Sequence, residues 1–435
     1  MDDFRGKKVA VFGAGKSGLA AANKLVSLGC FVKVTEEKAE SEFDPLTLKN
    51  FRSKGIEIET GGHTFSSIEK ADLIVVSPGI HLDLPVLEKA RKRKIPIISE
   101  IELAYLLISK PIIAITGTNG KTTTTTLIAE MLKAAGKKIA VAGNIGNPLV
   151  EVEDSELDYV VAEISSYQLE AVVKFRPRIA VILNIQPDHL ERHRTLEEYI
   201  RQKSRIFLNQ TFEDYLVYNG DDPQVKEMVK KAKAKLVPFS KEQIKILPLS
   251  PEKIKIPGRH NLENALAATS VADLCGISKE VVAEVLRTFA GVEHRIEFVT
   301  EVNGIKFYND SKATNPDSTM VALETFAGKE IILILGGREK GVNLGPLCEK
   351  IKESVKAVVL VGESAKVFEL ALRQVGYLSF YHAGFSMEEA VKKSFSLASF
   401  GDLVLLSPAC ASFDMFANFE ERGKVFKELC HGLKR

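Results

Sequence analysis

No apolar run in this sequence is long enough to span a bilayer, so no membrane-spanning helix is expected within it. An excess of one charge is missing too. Lys and Arg number 59 against 57 Asp and Glu, a net of +2, so nothing in the charge balance points to nucleic acid or an anionic membrane as partner. The densest basic run, Arg91-Lys92-Arg93-Lys94, ends a predicted helix, where cations complement the negative end of the dipole. Cys-x-x-Cys pairs are also absent. The five cysteines (Cys30, Cys275, Cys348, Cys410, Cys430) are odd in number and scattered, which predicts reduced thiols and no disulfide framework. The opening residues, Met1-Asp2-Asp3-Phe4-Arg5, are acidic and lack the apolar stretch of a signal peptide, so the expected location is cytoplasmic.

What is present is an ordinary globular composition, 45% hydrophobic and 27% charged over 435 residues, enough for several cores. Strands alternate with helical lengths throughout, which predicts an α/β protein with mostly parallel sheets. Three blocks follow in series, with predicted edges at 1–98, 99–291 and 292–435. Beyond the shared strand–helix rhythm no repeat is visible.

The most informative stretch is Thr116-Gly117-Thr118-Asn119-Gly120-Lys121-Thr122 in the second block. The apolar run Ile112–Ile115 feeds it, and a helical pattern from Thr123 to Ala135 follows. A strand that breaks at glycines and opens a helix aims several backbone N–H groups, and the positive end of the helix dipole, at one spot. That spot suits a polyphosphate. Lys121 is predicted to reach the outer phosphates and the Thr122 hydroxyl to meet Mg²⁺. The loop is shorter than the general Walker pattern, which wants glycine where this chain has Ile115.

In the first block, the strand Val9–Phe12 leads into Gly13-Ala14-Gly15-Lys16-Ser17-Gly18, a second strand runs Phe31–Thr35, and a third, Ala71–Val76, ends in Ser77-Pro78-Gly79. This is a Rossmann-like opening. Gly-x-Gly-x-x-Gly reports a diphosphate at a helix N-terminus, which fits NAD, FAD or a nucleotide sugar equally. In the second block, strands are predicted around Tyr159–Ile164, Ile179–Asn184 and Tyr215–Tyr218. An irregular stretch, Ser240–Pro257, precedes a helix that starts with Asn261 and Asn264. Glu163 ends one strand, His189 follows another, and Lys203 lies about four turns of helix further on. A carboxylate and an imidazole at strand ends beside a phosphate loop suit one or two Mg²⁺ ions. In the third block the predicted strands are Ile305–Tyr308, Ile331–Leu335, Ala357–Val361 and Leu403–Leu406.

Several of these segments together resemble the Mur ligase superfamily. They are the phosphate loop, Glu163–Leu169, Asn184–Leu190, Gly258–Asn264 and His294-Arg295, with Asn309–Asn315 and Leu406–Asp414 in the third block. The last two, with Phe416–Gly423, are similar to the members that add D-glutamate. The resemblance covers all three blocks. It implies a Rossmann-like N-terminal domain, a central P-loop ATPase-like domain and a Rossmann-like C-terminal domain. The implied activity is an ATP-dependent amide-bond ligase that joins D-glutamate to UDP-N-acetylmuramoyl-L-alanine through an acyl phosphate, in peptidoglycan precursor synthesis, as a monomer using Mg²⁺.

It also implies roles. Gly15, Lys16, Ser17, Thr35, Ser77, Pro78, Gly79 and Asn144 would hold the sugar nucleotide. Gly117, Thr118, Asn119, Gly120, Lys121, Thr122, Thr123, Asn264, Arg295 and Asp310 would hold ATP. Thr122, Glu163, His189 and Lys203 would hold Mg²⁺, and Lys312, Thr314, Lys340, Ser412 and Phe419 the D-glutamate. Catalysis would rest on Lys121, Glu163, His189 and Lys203. An ammonium about 4 Å from one positive charge is repelled by roughly 4 kcal/mol at an effective dielectric of 20. The matching lysine of the family is carbamylated by CO₂, so Lys203 is expected as a carbamate.

Overall fold

The computed structural model describes residues 3–43, 45–256, 258–338 and 343–433. Three sheets form, one in each expected block. The first contains β1 (Lys8–Phe12), β2 (Phe31–Thr35), β3 (Glu57–Glu59), β4 (Leu73–Val76) and β5 (Ile97–Ser99), in the order β3-β2-β1-β4-β5. All its pairs are parallel. The second contains β6 (Ile112–Thr116), β7 (Ile139–Gly143), β8 (Tyr159–Glu163), β9 (Ile179–Ile182), β10 (Tyr215–Asn219) and β11 (Lys235–Phe239), in the order β11-β10-β9-β6-β8-β7. The third contains β12 (Glu297–Val302), β13 (Ile305–Asn309), β14 (Ile331–Gly336), β15 (Val355–Val361), β16 (Phe380–His382) and β17 (Leu403–Leu406), in the order β12-β13-β17-β14-β15-β16. In that sheet β12 alone runs antiparallel to its neighbour.

The central strands are apolar along their whole length because helices cover both faces of a parallel sheet. β6, β9 and β14 are buried at every residue. The chain divides into two compact units, residues 1–253 with 260–287, and residues 254–259 with 288–435. In the first unit one hydrophobic core runs through both sheets, from Leu25 and Val34 to Ala114 and Ile182. Among the described residues no helix is long and apolar enough to cross a membrane.

The expected continuous helix from His189 to Lys203 is not what forms. A short helix, Leu190–His193, stops at Arg194, whose φ of 66° lies in the left-handed region and cannot continue it. Thr195 then caps a second helix, Leu196–Ser204, its hydroxyl accepting from the Glu198 N–H at 3.2 Å. The stretch Ser240–Pro257, expected to be irregular, contains two short 3₁₀ turns, Lys241–Ile246 and Pro251–Lys253; Pro257 lies outside the described residues.

Candidate active site

The phosphate loop leaves the C-terminal end of β6 between two glycines with positive φ, Gly117 at 156° and Gly120 at 83°. Gly120 precedes the helix Lys121–Ala134. A Cβ there would lie 2.3 Å from the Asn264 Oδ1, so the loop and the helix Arg259–Leu274 meet only because that side chain is missing. Asn264 is held in turn by the Thr124 hydroxyl, which donates to it at 3.2 Å, and by Asn261, to which it donates at 3.1 Å.

The loop interior is tied to the segment after β9. The Thr118 N–H donates to the Asn184 carbonyl at 3.0 Å, and the Asn119 N–H to the Asn184 Oδ1 at 2.8 Å. The Thr118 hydroxyl lies 3.2 Å from the Tyr199 hydroxyl and 3.2 Å from the Gln186 carbonyl. Lys121 folds back over the loop and donates to the carbonyls of Gly117 and Thr118 at 2.9 and 2.8 Å. Thr122 and Thr123 stand in the first turn behind it, Thr123 buried.

Beside the loop, Glu163 ends β8 and is 2% exposed. One of its oxygens accepts from the Asn144 amide at 2.8 Å; the other is buried without a hydrogen-bond partner. A buried carboxylate oxygen left unpaired is costly, and a cation would satisfy it. Lys203 is 1% exposed, donates to the Gly117 carbonyl at 2.8 Å and sits 4.7 Å from the centre of the Tyr199 ring. Burial first, and then the Lys121 charge, hold its pKa well below the ordinary lysine value, against the opposing pull of Asp188 and Glu163. Lys203 and Lys121 share one acceptor, the Gly117 carbonyl, at 2.8 and 2.9 Å. His189 follows, with φ 55°, its ring 4.9 Å from that of Tyr167 and its Nε2 3.5 Å from Asp188.

Among the described residues no three His, Cys, Asp or Glu side chains gather into a metal-sized group. The expected donors differ in kind: one carboxylate, one imidazole, the Thr122 hydroxyl and a modified Lys203. The unpaired Glu163 oxygen is the feature in this structure that fits such an ion.

In the first domain, Gly15 precedes the helix Lys16–Ser27, with Lys16 and Ser17 in its first turn. Gly18 is required by close approach, since a Cβ there would lie 1.9 Å from the Gly13 carbonyl oxygen. The Ser77 hydroxyl donates to that same carbonyl at 3.3 Å, which brings the Ser77-Pro78-Gly79 turn against the loop. Lys16 reaches the neighbouring domain and donates to the Gly146 carbonyl at 2.7 Å, beside Asn144. Thr35 is fully buried and its hydroxyl is engaged with His63 at 2.9 Å, so Glu36 is the one that meets the loop, accepting from the Ala14 N–H at 2.6 Å.

Arg295 and Asp310 lie in the other unit and face each other at 3.5 Å. Asp310 is fully buried, and burial raises its pKa to about 6. The Ser407 hydroxyl donates to it at 2.7 Å. Lys312 stands 5.8 Å from the centre of the Phe419 ring, and the Thr314 N–H donates to the Lys312 carbonyl at 2.9 Å. Ser412 is 2% exposed. Lys340 lies outside the described residues. Arg422, buried by the same loops, donates to the Ser311 and Cys410 carbonyls at 2.8 and 3.1 Å, and so joins the segments that carry Lys312 and Ser412.

Tyr199 and Arg192 lie outside the segments that carried the resemblance, and Asn184 and Arg422 lie inside them without an expected role. Tyr199 had a signal: it precedes Lys203 by four residues and so shares a helix face with it. Arg192 reads as an ordinary polar position.

Three family models match the chain in series: "Mur ligase MurD-like, N-terminal domain" over residues 7–99, "Mur ligase middle domain" over 115–272 and "Mur ligase, glutamate ligase domain" over 294–410. A UDP-N-acetylmuramoylalanine--D-glutamate ligase of Thermoanaerobacter sp. (strain X514) is 46% identical, with all of both chains covered. The ligase of that name from Clostridioides difficile (strain 630) is 43% identical over 99% of this chain and all of its own. Among solved structures, UDP-N-acetylmuramate-alanine ligase MurC from Thermotoga maritima superposes with a TM-score of 0.58 at 22% identity, covering 98% of this chain and 100% of that one. A pseudomurein peptide ligase type C from Methanothermus fervidus gives 0.59 at 22%, with the same coverage. At such identities the structural likeness speaks for the fold.

Proposed function

The chain belongs to the Mur ligase family, and on that premise we propose that it joins D-glutamate to UDP-N-acetylmuramoyl-L-alanine at the expense of ATP. The observation that carries this reading is the end-to-end match to D-glutamate ligases, including the third domain that would hold the amino acid.

A carboxylate is a poor acyl donor because its leaving group would be an oxide ion. Transfer of the γ-phosphoryl group to the L-alanyl carboxylate gives an acyl phosphate. The α-amine of D-glutamate then attacks the carbonyl carbon, and inorganic phosphate leaves as the amide forms. The first transfer brings two anions together, so the protein's task is positioning and positive charge. The phosphates would sit at the loop's helix end, since the Thr118 and Asn119 N–H groups are held by Asn184, and Lys121 would exchange the Gly117 and Thr118 carbonyls for phosphate oxygens. Thr122, Glu163, His189 and a carbamylated Lys203 would hold Mg²⁺, which when bound offsets charge on the phosphoryl and carboxylate oxygens.

Carbamylation requires a neutral amine. The buried Lys203, with its lowered pKa and the Lys121 ammonium close by, is suited to supply one. The carbamate that results is an anion, so it draws Lys121 in where the ammonium repelled it. Arg295 would serve ATP, with the fully buried Asp310 beside it at 3.5 Å. Lys312, Thr314, Ser412 and Phe419, with Lys340, would hold D-glutamate by charge, hydroxyl donors and an aromatic wall.

The test is phosphate release with ATP, Mg²⁺ and UDP-N-acetylmuramoyl-L-alanine, adding D-glutamate, L-glutamate or neither. Release that requires both the sugar nucleotide and D-glutamate, with a product heavier by one glutamyl residue, supports the reading. Release indifferent to D-glutamate but restored by another amino acid refutes its acceptor half.

A further inference from the structure

One side chain ties the first-domain turn to the histidine of the central domain. Arg192 and Glu170 are 9% and 10% exposed, and they pair through two bonds, Nε to Oε1 at 3.0 Å and a terminal nitrogen to Oε2 at 2.6 Å. The fork also donates across the domain junction, to the Ile80 carbonyl at 2.6 Å and the Gly79 carbonyl at 3.5 Å. Those carbonyls belong to the turn that follows β4, the expected seat of the sugar nucleotide. Behind the fork, Tyr167 lies 5.5 Å from the guanidinium carbon and 4.9 Å from the His189 ring. The Arg192 N–H donates to the His189 carbonyl at 3.0 Å, so the two residues share one helical turn. His193 closes the cluster, 3.0 Å from the Ser166 hydroxyl and 3.8 Å from Glu170.

A planar, bidentate, nearly dry ion pair has little freedom to rotate, and a change at one of its ends is felt at the other. From this geometry we infer that Arg192 is a positioning residue that couples occupancy of the first-domain turn to the placement of His189. A ligand bearing a nucleoside diphosphate, seated on the turn, would fix the guanidinium and with it the turn of helix that carries His189. Binding of magnesium nucleotide would then be tightened by the sugar nucleotide, and by linkage the reverse would hold to the same factor. The inference rests on the ligand assignments of the proposed function. The Arg194–Asp83 pair crosses the same junction at 3.1 Å, but both side chains are exposed, and such a pair contributes little.

The experiment is calorimetric titration of UDP-N-acetylmuramoyl-L-alanine into the full chain, with and without Mg²⁺ and a non-hydrolysable ATP analogue. In the unmodified chain the analogue should tighten sugar-nucleotide binding about tenfold, inside the usual range of coupling between sites. Arg192→Gln should bring that factor close to one. Arg192→Lys should do the same, because an ammonium lacks the planar fork that pairs both Glu170 oxygens while reaching the carbonyls. Glu170→Gln should match them, and the Arg192→Gln/Glu170→Gln pair should lose no more than either alone. Arg194→Gln should keep the full coupling. If Arg192→Gln folds poorly, Arg192→Lys and Glu170→Gln decide the matter. Full coupling in the Arg192 variants overturns the inference, as does an equal loss in Arg194→Gln. An unmodified chain that binds both ligands without coupling overturns the inference and leaves the proposed function standing; one that fails to bind the sugar nucleotide overturns both.

Discussion

Replacing Gly120 by alanine isolates what the phosphate loop demands of its backbone. Two terms add. An L-residue with a Cβ at φ 83° carries a left-handed penalty of roughly 1–2 kcal/mol. The new methyl also lands 2.3 Å from the Asn264 Oδ1 and 3.4 Å from Leu183, so Asn264 must move. Moving it breaks the bonds to Thr124 and Asn261, at about 1 kcal/mol each. The sum is roughly 3–4 kcal/mol. Gly136 supplies the control. It follows the other end of the same helix at φ 76° with nothing within 4 Å, so alanine there should show the backbone term alone. The chain has no tryptophan, so urea unfolding is best followed by far-ultraviolet circular dichroism. Gly120→Ala should be the more destabilising by about 2 kcal/mol. Adding Asn264→Ala to it should cost less than additivity predicts, because the clash is then removed. If the two glycine variants agree within about 0.5 kcal/mol, the argument from close approach is wrong.

Three further outcomes are expected. Glu163→Gln keeps an acceptor for Asn144 but removes the anion; Mn²⁺ affinity, read by paramagnetic resonance in the presence of ATP, should fall by about 100-fold, since even groups that merely support a metal ligand cost 10–100-fold. Burial raises Glu100 to about 7, above its unfolded value of roughly 4.3, so its stabilising contribution is complete below that lower value and is lost as pH rises to about 7. Glu100→Gln retains the acceptor for the Val150 N–H and should flatten the urea midpoint across that window; an unchanged slope would count against the buried carboxyl. Labelled bicarbonate should give a carbamate ¹³C resonance in the unmodified chain and none in Lys203→Arg; identical spectra would remove the modification from the mechanism.

The strands most legible in the sequence were those buried on both faces, Ile112–Thr116, Leu73–Val76, Ile179–Ile182 and Ile331–Gly336, because covered parallel strands read as unbroken apolar runs. Those missed were short or marginal. β3, β5 and β16 have three residues each, and β7, β11 and β12 sit at sheet edges with mixed burial. The break at Arg194 was invisible because an arginine with positive φ carries no local signature. The phosphate loop was legible as chemistry, since its glycines, lysine and threonine are contiguous. Its supports were not. Asn264 lies 144 positions from Gly120, and Arg192 meets the Ile80 carbonyl 112 positions away, contacts that only the folded chain reveals.

The way Lys121 folds onto its own loop has a consequence for discrimination. With its ammonium seated on two carbonyls, the loop answers its own charge, and the protein at rest is a weak trap for small anions. A lone phosphate at the helix N-terminus would gain little by dislodging the lysine, because it offers few oxygens beyond the loop. A chain of phosphates would extend past the loop and give the ammonium a better seat further out. On the proposed assignment the lysine would work as a length gauge, favouring a polyphosphate over inorganic phosphate.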